Sequence, residues 1–101
     1  MTKHLFVGGL VAAGFDPSAR FLLTVSHAGR GVFSVGTWER VARDSKLAYP
    51  ENGHAIGIGP VEGQAIKVTE DYEGSLNITS PDGLFHLAYD SGTITITNAD
   101  A

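Results

Sequence analysis

Two stretches of this chain repeat one local pattern. Phe15-Asp16-Pro17-Ser18-Ala19-Arg20 runs into Phe21-Leu22-Leu23-Thr24-Val25-Ser26, and Thr79-Ser80-Pro81-Asp82-Gly83-Leu84 runs into Phe85-His86-Leu87-Ala88-Tyr89-Asp90. Each is a polar proline turn followed by a strand whose apolar residues recur at every second position. Each then meets a Gly-bearing turn and a second β-rich run. A repeated turn–strand–turn–strand unit constrains architecture ahead of any single residue. It directs this chain to an all-β body and offers no obvious place for the chemistry of an enzyme.

Period-2 alternation and turn residues together predict ten short strands at roughly ten-residue spacing. They are Lys3–Val7, Leu10–Phe15, Arg20–Ser26, Gly31–Gly36, Thr37–Arg43, His54–Gly59, Gln64–Thr69, Ser75–Thr79, Leu84–Tyr89 and Thr93–Thr97. Phe21, Leu23 and Val25 share a face, as do Phe85, Leu87 and Tyr89; Ile94 and Ile96 oppose Thr93, Thr95 and Thr97. Phe21, Leu23, Phe85, Leu87, Ile94 and Ile96 are the expected core, because alternation fixes which face is buried. Asn52-Gly53, Pro81-Asp82-Gly83 and Ser91-Gly92 sit between alternating runs, where tight turns want positive φ. The fold class is therefore an antiparallel meander of about 8–10 strands in a sandwich or partly closed barrel.

One segment competes for helix. Thr37 could cap Trp38–Leu47, whose Trp38, Val41 and Ala42 would share one side. Periodicity favours that helix and the neighbouring hairpins favour a strand equally, so at most one short helix is expected, near 37–47. At the N-terminus, Leu5 to Ala13 has the flavour of a short export signal, but its basic region is Lys3 alone. A buried strand broken by Gly8-Gly9 and followed by a second strand is the preferred reading. With it comes an expectation of a cytoplasmic protein.

Length and composition fit one domain over residues 1–101 with a single modest core. An apolar share of 43% with 18% charged residues is that of a soluble globule, not a disordered tail. There is no cysteine, which removes disulfides, thiolate metal sites and a cysteine nucleophile. No apolar run approaches the roughly 20 residues that span a bilayer, so no membrane partner is expected. Charge is uneven along the chain. Residues 1–50 hold six basic and three acidic side chains, and residues 51–101 hold eight acidic side chains against Lys67. An acidic side disfavours nucleic acid and would attract a basic protein.

Motifs for chemistry are sparse. His4, His27, His54 and His86 lack paired ligand spacing, so no metal or cofactor is expected and loop or sheet-surface positions are their ordinary reading. His86, between Phe85 and Leu87, points away from their face. Gly57-Ile58-Gly59-Pro60-Val61-Glu62-Gly63 cannot open a helix as a phosphate loop requires, since Pro60 and a strand-like Gln64–Val68 run follow. A Gly-rich strand connection with close backbone approach is expected there. Ser26 and His27 are sequence neighbours, so on a strand they face opposite ways and form no relay.

The richest candidate is an acidic turn, Glu70-Asp71-Tyr72-Glu73-Gly74. It sets an amphipathic aromatic among three carboxylates, with Tyr72 the expected anchor and Glu70, Asp71 and Glu73 steering a cationic partner. Tyr49-Pro50-Glu51-Asn52-Gly53 has the same aromatic–acidic character and could lie beside it. These give the candidate binding residues Glu70, Asp71, Tyr72, Glu73, Tyr49 and Glu51, with no catalytic residue.

Leu10–Asp44 resembles one blade of a WD-repeat or related β-propeller, with Gly9–Ser18 as its first strand and proline turn. Phe21–His27, Gly31–Gly36 and Trp38–Arg43 are similar to the next three strands. Ser75–Thr97 resembles the first three strands of another blade, Ser80-Pro81-Asp82-Gly83 being the closest match. A closed propeller needs at least about four blades of ~40 residues, and Trp38 is followed by Glu39 where those blades end in Trp-Asp. The resemblance therefore implies two blade-like sheets and no propeller function. By size and charge alone the chain also resembles small bacterial immunity proteins. The expected function is a non-catalytic protein-binding module, in concrete form an inhibitor of a basic toxin domain. The alternatives are a blade-like homo-oligomer that self-assembles through sheet edges and a small hydrolase or ligand-binding protein.

Overall fold

The two proline turns form alike, with their polar pair exchanged. The computed structural model describes residues 2–46, 49–71 and 76–98. In the first turn Asp16 N donates to Phe21 O and Ala19 N to Asp16 O, both at 2.9 Å. The Asp16 carboxylate accepts from Arg20 N (3.0 Å), Phe21 N (2.8 Å) and the Ser18 hydroxyl (2.5 Å). In the second turn Ser80 N donates to Phe85 O and Gly83 N to Ser80 O, again at 2.9 Å. Here the Ser80 hydroxyl accepts from Phe85 N (3.0 Å) and donates to the Asp82 carboxylate (2.6 Å). The left-handed residue each turn requires is Ala19 (φ 61°) in one and Gly83 (φ 76°) in the other.

The strands are β1 (Thr2–Phe6), β2 (Leu10–Phe15), β3 (Phe21–Ser26), β4 (Gly29–Ser34), β5 (Arg40–Arg43), β6 (His54–Ile56), β7 (Ala65–Lys67), β8 (Thr69–Glu70), β9 (Asn77–Thr79), β10 (Phe85–Asp90) and β11 (Thr93–Asn98). They form a terminal sheet, β1-β11-β10-β9, a central sheet, β5-β4-β3-β2-β8, and the separate hairpin β6-β7. Every pairing is antiparallel. The all-β class holds, and among the described residues no barrel closes.

The core is double. Leu22, Phe33, Ala13 and Phe15 of the central sheet meet Leu87, Tyr89, Ile94 and Ile96 of the terminal sheet in one cluster. Leu23, Val25, Val32 and Ala12 meet Ala55, Ile66, Val61 and Ile58 of the hairpin and its connection in a second. β3 is thus covered on both faces, as a strand in the middle layer of three must be. The Gly-rich connection is a short 3-10 turn, Gly59–Val61, with Pro at its start. A Cβ on Gly57 would lie 2.4 Å from Val61 O, so the close approach expected there is real. The chain leaving β7 also presses on β2: a Cβ on Gly14 would lie 2.1 Å from Lys67 O.

The segment that fitted both helix and strand is extended: the Thr37 hydroxyl accepts from Glu39 N (3.4 Å) in a local turn, and Arg40–Arg43 pairs with β4. The free edge of β4 wins because Ser34 N and Trp38 N both find carbonyls that way, Glu39 O at 2.9 Å and Ser34 O at 2.8 Å. Trp38 adopts φ 60° and buries its ring edge-on against Phe85, with centroids 5.2 Å apart. Leu47 lies outside the described residues. Three expectations need correction. Phe21 and Phe85 are only partly buried, packed at the margins of the two clusters. β1 is an edge strand, in which only Leu5 is buried. Glu70 belongs to strand β8, opposite Ala12, and not to a turn.

Candidate functional site

The hairpin β6-β7 is built by the turn its sequence announces. Asn52 (φ 54°) and Gly53 (φ 77°) supply two successive left-handed residues, the requirement of a two-residue type I′ connection. Glu51 N and His54 N then exchange bonds with each other's carbonyls at 2.8 and 3.1 Å. Ala55 and Ile66, opposite one another, turn inward to the second core. Alternation sends His54 and Ile56 outward.

Beside that outward face the chain from β5 returns through Tyr49, and a groove of about 580 Å³ opens between them. Tyr49, Glu51, His54, Ile56, Glu62 and Lys46 are among its walls. Tyr49 is 62% exposed and Ile56 50%, a large exposure for both, and they face a common space. The Tyr49 ring stands edge-on to His27 with centroids 6.5 Å apart. Arg30 anchors the groove to the central sheet. Its guanidinium donates to Ile56 O at 3.0 Å and meets the Asp44 carboxylate at 2.6 Å. The Arg30 hydrogen bond holds the Asp44 carboxyl below the usual carboxylate value.

A second concavity, of about 460 Å³, separates the terminal and central sheets where β9 and β2 face one another. Phe15, Pro17, Ile78 and Pro81 line it with Lys67, so both proline turns border one cleft.

Of the residues singled out in the sequence, Tyr49 and Glu51 come together in the Tyr49–Ile56 groove. Glu70 and Asp71 instead run along β2 in and after β8, where Asp71 N donates to Val11 O at 2.8 Å. The Asp71 carboxylate accepts from Leu76 N at 3.1 Å. It braces the chain on either side of 72–75 instead of projecting as a steering charge. Tyr72 and Glu73 lie outside the described residues. The two segments do approach the same end of the central sheet, since the backbone N–H of His27, which touches Tyr49, donates to Gly9 O at 3.1 Å, just before β2.

Ile56, Glu62 and Lys46 were missed. The signal for Ile56 was available, because in His54-Ala55-Ile56 an apolar residue stands on the face opposite to Ala55. His86 lies on the outer face of the terminal sheet, its ring nitrogens 3.3 Å from the Thr79 hydroxyl and 3.1 Å from Asn77 Oδ1. Among the described residues no three His, Asp or Glu side chains gather as a metal cluster. The Ser26 hydroxyl is bonded to Gly29 O at 3.1 Å. No helix among the described residues is long and apolar enough to cross a membrane. The groove offers recognition: two apolar anchors bounded by carboxylates and a lysine.

No family model, curated protein or solved structure matches the chain.

Proposed function

We propose that this domain is a non-catalytic protein-binding module that seats its partner in the Tyr49–Ile56 groove. The observation that carries the reading is the placement of two half-exposed or more exposed apolar side chains across one groove, rimmed by Glu51 and Glu62. Tyrosine is favoured as an anchor because it buries area at low entropic cost and keeps a hydrogen-bonding tip. The partner presents an apolar side chain flanked by a basic one. An inhibitor of a basic toxin domain is one concrete form of this function. Its acidic surface is smaller than composition suggests, because Asp44 is ion-paired with Arg30 and Asp16 is buried in its turn.

The test is affinity measurement on a co-purified partner. Tyr49→Ala and Ile56→Ser should each weaken binding at least about tenfold, mainly through faster dissociation. Glu51→Lys with Glu62→Lys should slow association and flatten its salt dependence. A partner held equally by all of these variants sits elsewhere, and this reading fails.

A further inference from the structure

Two of the edge strands, β5 and β1, are finished differently. β5, at one side of the central sheet, carries Arg40 and Arg43, with Glu39 just before it. Charge of that kind blunts a strand against pairing. β1, at the side of the terminal sheet, carries Thr2, Lys3, His4, Leu5 and Phe6. Its Thr2, Lys3, His4 and Phe6 are all exposed, and Phe6 reaches 78%, the most exposed large apolar side chain among the described residues.

Among the described residues the backbone of β1 has one side open. Val7 N donates to Gly92 O at 3.0 Å, and Leu5 and Lys3 stand opposite Ile94 and Ile96. Antiparallel alternation then points the N–H and C=O of Leu5 and Lys3 toward β11, and those of Thr2, His4 and Phe6 away from the sheet. Every second residue of β1 therefore presents a donor and an acceptor outward.

From this edge we infer that a second copy of the chain pairs with β1, antiparallel, about a two-fold axis at His4. The register is self-complementary. His4 faces His4 of the second copy and Thr2 faces Phe6 in both directions, so all three outward-directed residues form hydrogen-bonded pairs. Lys3, the only fixed charge on the strand, falls opposite Leu5, so no like charges meet. The terminal sheet continues across the axis, and Phe6 packs beside Thr2 and diagonally beside His4 of the other copy. The inference is independent of the Tyr49–Ile56 groove, which belongs to a different layer.

The pairing is pH-sensitive, because it sets two imidazoles in direct opposition. On its own sheet His4 faces the Thr95 hydroxyl at 3.3 Å, with Thr93 and Thr97 diagonal to it on β11. Thr2 and Phe6 are its neighbours on β1, and Lys3 points to the opposite face. Across Thr95 on β10 stands Ala88, flanked on that outer face by His86 and Asp90. Thr95, not a carboxylate, stands directly opposite His4, and among the described residues nothing there compensates two imidazolium charges, so acid disfavours the pair.

Sedimentation equilibrium from 10 µM to 1 mM (about the range for a small interface) reads the assembly. At pH 8 the chain should be a concentration-dependent dimer, and at about pH 5 the dissociation constant should rise at least tenfold. His4→Pro removes an outward N–H without touching the β11 ladder, a position where proline is tolerated, and should abolish the dimer. His4→Lys places two cations in opposition and should do the same while leaving the circular dichroism spectrum unchanged. A monomer throughout at pH 8, or a dimer that survives both substitutions, overturns the inference.

Discussion

β3 and β10 occupy equivalent places in the two repeats, yet only β3 is buried on both faces. Phe21 corresponds to Phe85, Leu23 to Leu87 and Val25 to Tyr89, and the inner sides match closely. The difference is at Leu22, whose counterpart is His86. Leu22 is fully buried between the sheets, whereas His86 faces outward and bonds to Thr79 and Asn77. The two units also stack in the same sense. The Leu87 side of the terminal sheet lies on the Leu22 side of the central sheet, and the Leu23 side of the central sheet lies on the hairpin. Leu22 and His86 thus mark the contrast between the covered face of one repeat and the open face of the other.

The largest expected effects test that difference directly. Leu22→Ala and Leu23→Ala, adjacent in sequence and in separate cores, should each cost about 2–5 kcal/mol in urea denaturation. Leu87→Ala should fall in the same range, while His86→Ala should cost under about 1 kcal/mol. If Leu22→Ala is as mild as His86→Ala, the terminal sheet does not stack on the central one.

The aromatic pair that opens the two strands sharpens the comparison. Phe21 and Phe85 are only partly buried, so truncation to Ala should cost about 1–3 kcal/mol, below the 3–5 kcal/mol of a fully buried ring. Phe85 should be the more costly, because it meets Trp38 edge-on whereas Phe21 faces the Arg20 guanidinium 5.9 Å from its ring centre. Equal losses would mean that the Trp38 contact contributes nothing.

A smaller effect separates the two turns. Burial of Asp16 would raise its carboxyl, but hydrogen bonds from the Ser18 hydroxyl and from the backbone of Phe21, Ser18 and Arg20 outweigh it, leaving the group below its ordinary value. A carboxyl lowered by folding stabilises fully above the unfolded value and loses that contribution as pH falls toward the folded one. Asp16→Asn should therefore cost about 1–2 kcal/mol at pH 7, and the gap from the parent should close below about pH 4. Asp82 is lowered too, chiefly by the Ser80 hydroxyl, but it is exposed, and its replacement by Asn should change the acid limb less. A gap for Asp16→Asn that stays constant to pH 2 would show that the turn does not depend on the charge.

How much of this was legible in the sequence follows from what each pattern measures. The proline turns were readable because their hydrogen bonds are local, closed within six residues. Strand positions were readable from alternation, and the Asn52-Gly53 hairpin from the need for positive φ. Alternation reports one buried face, however, so Phe21-Leu22-Leu23 read as a half-exposed strand although Leu22 was already the clue to a second interface. The acidic turn read as surface because sequence shows a carboxylate without showing its donor. The Leu76 N–H that Asp71 receives is supplied only once the chain on either side of 72–75 has been brought together. Trp38 was ambiguous because helical and extended patterns fit it equally, and the unpaired edge of β4 settled the matter.

The pairing of β1 with β11 has a consequence for how the molecule comes into being. Thr2 stands opposite Thr97, so β1 must wait for β11, which is made much later. During synthesis the central sheet and hairpin can assemble while Leu5 and Val7 still lack the neighbours that bury them. Closure then joins residues 87 to 95 positions apart, a contact that loop entropy makes slow. A ribosome stalled before residue 93 would hold a chain with an ordered middle and an unsatisfied leading strand, a species open to capture by chaperones or by the same strand of a neighbouring nascent chain.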